Sequence, residues 1–210
     1  MKTMIIGFLI GFVLGVIITQ DKAYSHTFET VPVEGVPSPL PDTFHEPSYE
    51  PSLPVDVQEY IDRFYKVAVS EMKIYNIPAS IKLGQAILES GKGTSTLAIE
   101  ANNHFGMKCR DFDGLPIGDL VRGCIEHPDS DSSGRWSKAL FLDLETPWAS
   151  YRAHSVILSG SRYKHLQNYG KDYRKWAWGL YESGYAVDPN YANKLIAVIE
   201  AYNLSQFDTV

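Results

Sequence analysis

The spacing of apolar residues changes character twice along the chain. From Met4 to Thr19 no charged residue interrupts an apolar run, which Lys2 precedes and Asp21 and Lys22 follow. A helix of this length spans about 24 Å, short of the ~30 Å hydrocarbon core. Residues 1–19 therefore read as an N-terminal transmembrane anchor or a signal peptide. Ala23-Tyr24-Ser25 offers a small-x-small cleavage site, and Gly7, Gly11 and Gly15 form a stripe suited to close helix contact. Residues 20–54 carry no apolar period and hold Pro32, Pro37, Pro39, Pro41, Pro47, Pro51 and Pro54 among Glu, Ser and Thr. That composition predicts an extended, disordered spacer without the means to pack a core.

A helical period takes over within residues 55–205. Val57, Tyr60, Ile61, Phe64, Tyr65, Ala68 and Met72 recur at three- and four-residue steps, predicting a helix from Asp56 to Tyr75 capped by Asp56. Pro78 at a first helical position starts a second helix, Ala79 to Glu89, which Ser90-Gly91 ends. A short third helix covers Thr94 to Ala101. Phe105 to Cys109, Leu120 to Ile125 and Arg135 to Leu144 have strand character, with Gly- and Asp-rich turns between them. Helical signals return from Thr146-Pro147 to Leu158 and from Asp172 or Tyr173 to Tyr181, stopped by Gly184. Asp188-Pro189 caps and begins a last helix through Tyr202. The expected class is α+β: a mostly helical domain with a small antiparallel β-lobe.

Composition narrows the partners. A net charge of -6 over 210 residues argues against nucleic-acid binding through a basic surface. The 13 Tyr and 4 Trp would suit sugar faces, although most such residues pack in cores. Cys109 and Cys124 are the two cysteines. In an exported protein they suit a disulfide, and two buried free thiols are the alternative. With His104 and His127 nearby they match no standard zinc spacing, so no metal is expected, and proton donation by a carboxylic acid needs no organic cofactor.

One carboxyl stands out. Glu89 closes the stretch Gln85-Ala86-Ile87-Leu88-Glu89-Ser90-Gly91, at a helix end where the dipole disfavours a negative charge and raises its pKa. A carboxylic acid held protonated is what a glycosidase needs to protonate a leaving-group oxygen.

Three segments in order carry a family resemblance: Ala86-Ile87-Leu88-Glu89-Ser90-Gly91, then Asn102-Asn103-x-Phe105-Gly106-x-Lys108, then Gly184-Tyr185-Ala186-x-Asp188-Pro189-x-Tyr191-Ala192. Over roughly residues 56–204 the chain resembles the peptidoglycan endo-β-N-acetylglucosaminidases of glycoside hydrolase family 73. The resemblance implies a lysozyme-like fold, a peptidoglycan glycan strand as substrate, and Glu89 as general acid. Lys92 stands where the family often has Trp. A second carboxylate is expected in the β-lobe, where Glu126 leads over Asp111, Asp113, Asp119, Asp129 and Asp131. Water activated by Glu126 or the substrate's own acetamido group are the two routes that follow. Tyr185 is expected near the scissile bond, and Asn102, Asn103, Phe105 and Tyr191 are candidate substrate-binding residues that also suit a structural role. His104, His127 and His154 read as loop and helix-surface residues. The implied location is outside the cytoplasm, in the cell envelope, anchored or secreted. A lytic transglycosylase or muramidase on the same fold, or a non-catalytic wall-binding module, are the competing readings.

Overall fold

The structure is a computed structural model that describes residues 56–112, 117–130 and 135–209. The apolar run and the proline spacer lie outside the described residues, as do Asp113 and Asp131. Among the described residues no helix is long and apolar enough to cross a membrane.

Helix α1 runs Val57–Tyr75, and its start follows the expected cap: Asp56 Oδ1 accepts from Glu59 N at 2.9 Å. The predicted stripe buries Tyr60, Ile61, Phe64, Ala68 and Met72, and Asn76 ends the helix in a left-handed conformation. Helix α2, Ala79–Ser90, is buried on nearly every side because α1, α5 (Tyr173–Glu182) and α6 (Tyr191–Ala201) all pack against it. An all-round apolar helix belongs at the centre of a fold. Close approach is built in: a Cβ on Gly84 would meet Leu195 Cδ1 at 2.8 Å.

Pro78 stands at the N-cap of α2, not inside it, and supplies no capping side chain. The cap comes from far away. Asp208, in a C-terminal 3-10 helix (Leu204–Thr209), accepts from Ser80 N at 2.9 Å and from Ser80 Oγ at 2.6 Å. Asp208→Ala is expected to destabilise the fold by about 1–2 kcal/mol, read as an earlier urea midpoint.

The short helix α3 covers Thr96–Ala101, with Ser95 Oγ as its cap. Strands β1 (Val121–Ser130) and β2 (Trp136–Leu144) form one antiparallel hairpin, irregular between Val121 and Gly123. Ile125 and Phe141 sit opposite each other on the face that packs against Leu97 and Ala101 of α3. Cys124, Glu126, Leu140 and Leu142 share the other face, from buried Leu142 out to exposed Leu140.

The expected third strand, Phe105 to Cys109, is not one. Asn103 accepts from Met107 N at 3.0 Å and donates to Met107 O at 2.9 Å, so Met107 keeps only its carbonyl bond from Leu142 N, at 3.0 Å, toward β2. A single bridge between Lys108 and Phe141 is left, and a 3-10 turn, Cys109–Phe112, follows. A disulfide joins Cys109 to Cys124 of β1 and ties this loop to the hairpin.

Helix α4, Pro147–Ser159, starts under Thr146 as the sequence predicts. The start of α6 slips by two residues, because Asp188 Oδ1 accepts from Asn190 N at 2.8 Å and holds Asp188-Pro189-Asn190 as a turn. Among the described residues the architecture is thus mostly helical with one two-stranded lobe.

Candidate active site

Glu89 occupies the last turn of α2, and the chain behind it reverses within three residues. Gly91, Lys92 and Gly93 all have positive φ, and Gly91 closes the helix by donating to Ile87 O. Ser90 pins the turn: its hydroxyl donates to Ala86 O at 2.6 Å and accepts from Gly93 N at 2.7 Å. At Gly93 a side chain would be strained twice, by φ of +78° and by the Tyr60 ring 3.1 Å from a Cβ. Tyr60 in turn is fixed by His104 Nδ1 at 2.8 Å, so a residue of the second sequence segment supports the turn after Glu89.

The Glu89 side chain is exposed to solvent, yet protein crowds it closely enough to raise its pKa to about 7, with desolvation as the cause. Contact with solvent and crowding by protein therefore differ here. The crowding sets the direction, because a carboxylate in a recess loses much of its hydration even while water touches it. The helix-dipole cause expected from the sequence gives way to burial. Among the described residues no hydrogen bond or ion pair holds the Glu89 carboxylate.

Tyr191 is the nearby partner from the third segment. Burial first, and then the charge of Glu89, push its phenol well above the usual range. Its hydroxyl accepts from Gln85 Nε2 at 2.7 Å, one helical turn before Glu89. Tyr191 is 5% exposed, so it stands behind the surface.

The Tyr185 ring lies 5.6 Å from that of Tyr191 and is half-buried. Its turn is held by Arg162, which donates to Ser183 O at 2.7 Å and Gly184 O at 2.8 Å.

Asn103 and Phe105 are buried. The Asn103 amide also donates to Leu142 O at 3.0 Å, Asn102 donates to Leu144 O at 2.9 Å, and Phe105 stacks on His154 at 3.9 Å. These three side chains build the wall that joins the hairpin to the helices.

His154 is not on the helix surface as expected. It is fully buried in α4, its pKa pushed well below the usual range by burial and then by Lys82. His104 is buried too, its pKa lowered to about 3 by the same first cause.

Lys82 is the residue that sequence reasoning missed. It is fully buried, and its Nζ contacts Tyr151 O at 2.6 Å, Ser155 Oγ at 2.8 Å and His154 Nδ1 at 3.0 Å. Burial lowers its pKa to about 7, with the Glu71 charge opposing and the Arg152 charge adding to the shift. A signal was present: Lys82, Gln85 and Glu89 recur at helical spacing on an otherwise apolar helix.

Glu126 lies within β1, not after its end, and pairs with Lys138 on the hairpin's exposed side. Among its rivals Asp129 is paired with Lys108 at 2.6 Å, and Asp119 is an exposed 3-10 residue. No group of three or more metal-ligating side chains occurs among the described residues.

Comparison with known proteins shows what the chain as a whole is similar to. The glucosaminidase family, described as mannosyl-glycoprotein endo-beta-N-acetylglucosaminidase, matches residues 65–204. The exo-glucosaminidase LytG of Bacillus subtilis is 34% identical over 160 residues, covering 73% of this chain and 54% of LytG. An autolysin of Enterococcus faecalis is 30% identical over 166 residues, covering 72% of this chain and 21% of that protein. The chain thus spans about half the length of the first of these relatives and a fifth of the second. Among solved structures, the catalytic domain of the autolysin Auto from Listeria monocytogenes superposes with a TM-score of 0.60 at 29% identity. That match covers 75% of this chain and 90% of the domain.

Proposed function

The chain belongs to this glucosaminidase family, and from that premise we propose that it hydrolyses peptidoglycan at the β-1,4 bond between N-acetylglucosamine and N-acetylmuramic acid. The observation that carries the reading is the Glu89 carboxyl, reachable from solvent yet crowded enough for its pKa to rise to about 7. Such a group holds a proton near neutrality. It delivers that proton to the glycosidic oxygen as the bond to the anomeric carbon breaks and positive charge develops on the sugar ring. Tyr185, half-buried beside Tyr191, serves as a hydrogen-bonding partner of the same sugar, while Tyr191 holds Gln85 behind the acid. Asn102, Asn103 and Phe105 shape the site without needing to touch the substrate.

Glu126 takes the second role, accepting a proton from the attacking water. It is an exposed carboxylate on the lobe that the Cys109–Cys124 disulfide fastens to the wall of the site. Glu126→Gln is expected to lower the turnover of purified peptidoglycan about 100-fold. A rate within threefold of wild type would hand the role to the substrate's acetamido oxygen instead. The disulfide also supports an oxidising location outside the cytoplasm.

Mass spectrometry of digested peptidoglycan tests the bond. New N-acetylglucosamine reducing ends are expected. A 1,6-anhydro-N-acetylmuramic end would make the protein a lytic transglycosylase, an N-acetylmuramic acid reducing end a muramidase, and binding without release a wall-binding module. Fragment sizes separate cleavage within strands from trimming at their ends.

A further inference from the structure

A chain of polar groups, buried at Lys82 and His154 and half-buried at Tyr185, runs from the core to the Tyr191 side of the candidate site. Its geometry fixes where the protons sit. Below its pKa of about 7 Lys82 is an ammonium, with three donors and no acceptor. Three polar atoms surround Lys82 Nζ: Tyr151 O at 2.6 Å, Ser155 Oγ, whose hydrogen goes to Tyr151 O, at 2.8 Å, and His154 Nδ1 at 3.0 Å. His154 Nδ1 must then be the bare nitrogen, and in a neutral imidazole the proton lies on Nε2. Nε2 is 3.1 Å from the Tyr185 hydroxyl, so the histidine donates and the phenol oxygen accepts. The Tyr185 hydrogen therefore points away from His154, making the hydroxyl a donor to some other partner.

The setting supports a purpose beyond packing. His154 lies flat against Phe105, with ring centroids 3.9 Å apart and planes at 8°, which fixes the plane of its ring. Lys82 reaches its three acceptors through the middle of the core, where a Met would fill the same space without a charge to desolvate. The groups facing Lys82 are Glu71 from α1, which favours its charge, and Arg152, Tyr151 and His154 from α4.

We propose that Lys82 and His154 are positioning residues that lock the Tyr185 hydroxyl as a hydrogen-bond donor to an oxygen of the sugar bound at Glu89. The assignment of the sugar rests on the glucosaminidase reading above, while the proton arrangement does not. Lys82 acts on His154, His154 acts on Tyr185, and only Tyr185 meets the substrate. The donor suits an oxygen that gains negative character or needs orienting, such as the acetamido carbonyl.

The test has two independent arms on the intact chain. In 15N NMR of histidine-labelled protein at pH 6, His154 is expected to show a protonated Nε2 and a bare Nδ1, and Lys82→Met is expected to abolish that single tautomer. A protonated Nδ1 in the wild type would overturn the proposal, and this reading needs neither activity nor a variant that folds.

In digestion of purified peptidoglycan, Tyr185→Phe is expected to lower kcat about 100-fold with little change in KM. His154→Phe, which keeps the stack on Phe105 but has no donor, should lower kcat about 10-fold or more. His154→Gln, whose amide nitrogen stands near the place of Nε2, should recover most of that loss. The double variant Tyr185→Phe/His154→Phe should be no slower than Tyr185→Phe alone, because both changes remove one effect. Multiplying losses would mark His154 as merely structural and sink the proposal. A wild type that releases no sugar would instead sink the glucosaminidase reading, and the tautomer would still decide the proton arrangement.

Discussion

Glu89→Gln is expected to lower peptidoglycan hydrolysis by at least about 1,000-fold while leaving the thermal midpoint within a few degrees of wild type. The substitution keeps the shape of the side chain and removes only the transferable proton. General acid catalysis by a positioned group contributes about 100- to 10,000-fold, and leaving-group protonation is indispensable for a poor sugar leaving group. The fold should tolerate the change, since the Glu89 carboxylate holds no hydrogen bond or ion pair among the described residues. An amide also removes a charge that crowding disfavours, so a small gain in stability is the expected sign. Release of reducing sugar, followed alongside differential scanning calorimetry, checks both halves. A variant retaining more than a few per cent of the rate would remove Glu89 from the mechanism.

Arg152→Met is expected to give the largest loss of stability, about 3–5 kcal/mol. Arg152 Nε donates to both oxygens of Glu71, at 2.8 and 3.1 Å, and Glu71 is fully buried. Removing the cation strands a carboxylate in the core between α1 and α4. Total stabilities of single domains run to about 5–15 kcal/mol, so much of the fold's margin is at stake. The partner change distinguishes the cause: Glu71→Leu together with Arg152→Met should recover most of the loss, because neither charge is then buried alone. Urea denaturation of the three proteins reads the effect as shifts in midpoint at constant slope. Equal losses in the single and double variants would contradict it.

How far the sequence was legible depended on whether a residue's partner was local. The stripe of α1, the Asp56 and Thr146 caps and the Gly91 stop involve neighbours a few positions apart, and all stand where the pattern predicts. Phe105 to Cys109 misled because Asn103, four residues before Met107, takes the Met107 N–H and shares its carbonyl with Leu142 N, so only one bridge to β2 forms. The cap on α2 was out of reach of any local reading, since Asp208 lies 128 positions from Ser80. The same holds for the site. Three short segments pointed to Glu89, Tyr185 and Tyr191 as candidates, but the upward shift at Glu89 comes from burial, which a helix-end argument does not contain. His154 looked like a surface residue because nothing in its own segment reveals that Lys82, 72 positions earlier, lies against it.

The most direct test of Glu89 as the proton donor is the pH dependence of kcat/KM on soluble glycan strands. A general acid must be protonated to act, so a donor with a pKa raised to about 7 is active below that value and loses activity above it. The account predicts a profile level between pH 5.5 and about 6.5, then falling about tenfold per unit beyond pH 7.5. A kcat/KM that stays level or rises through pH 9 would contradict it.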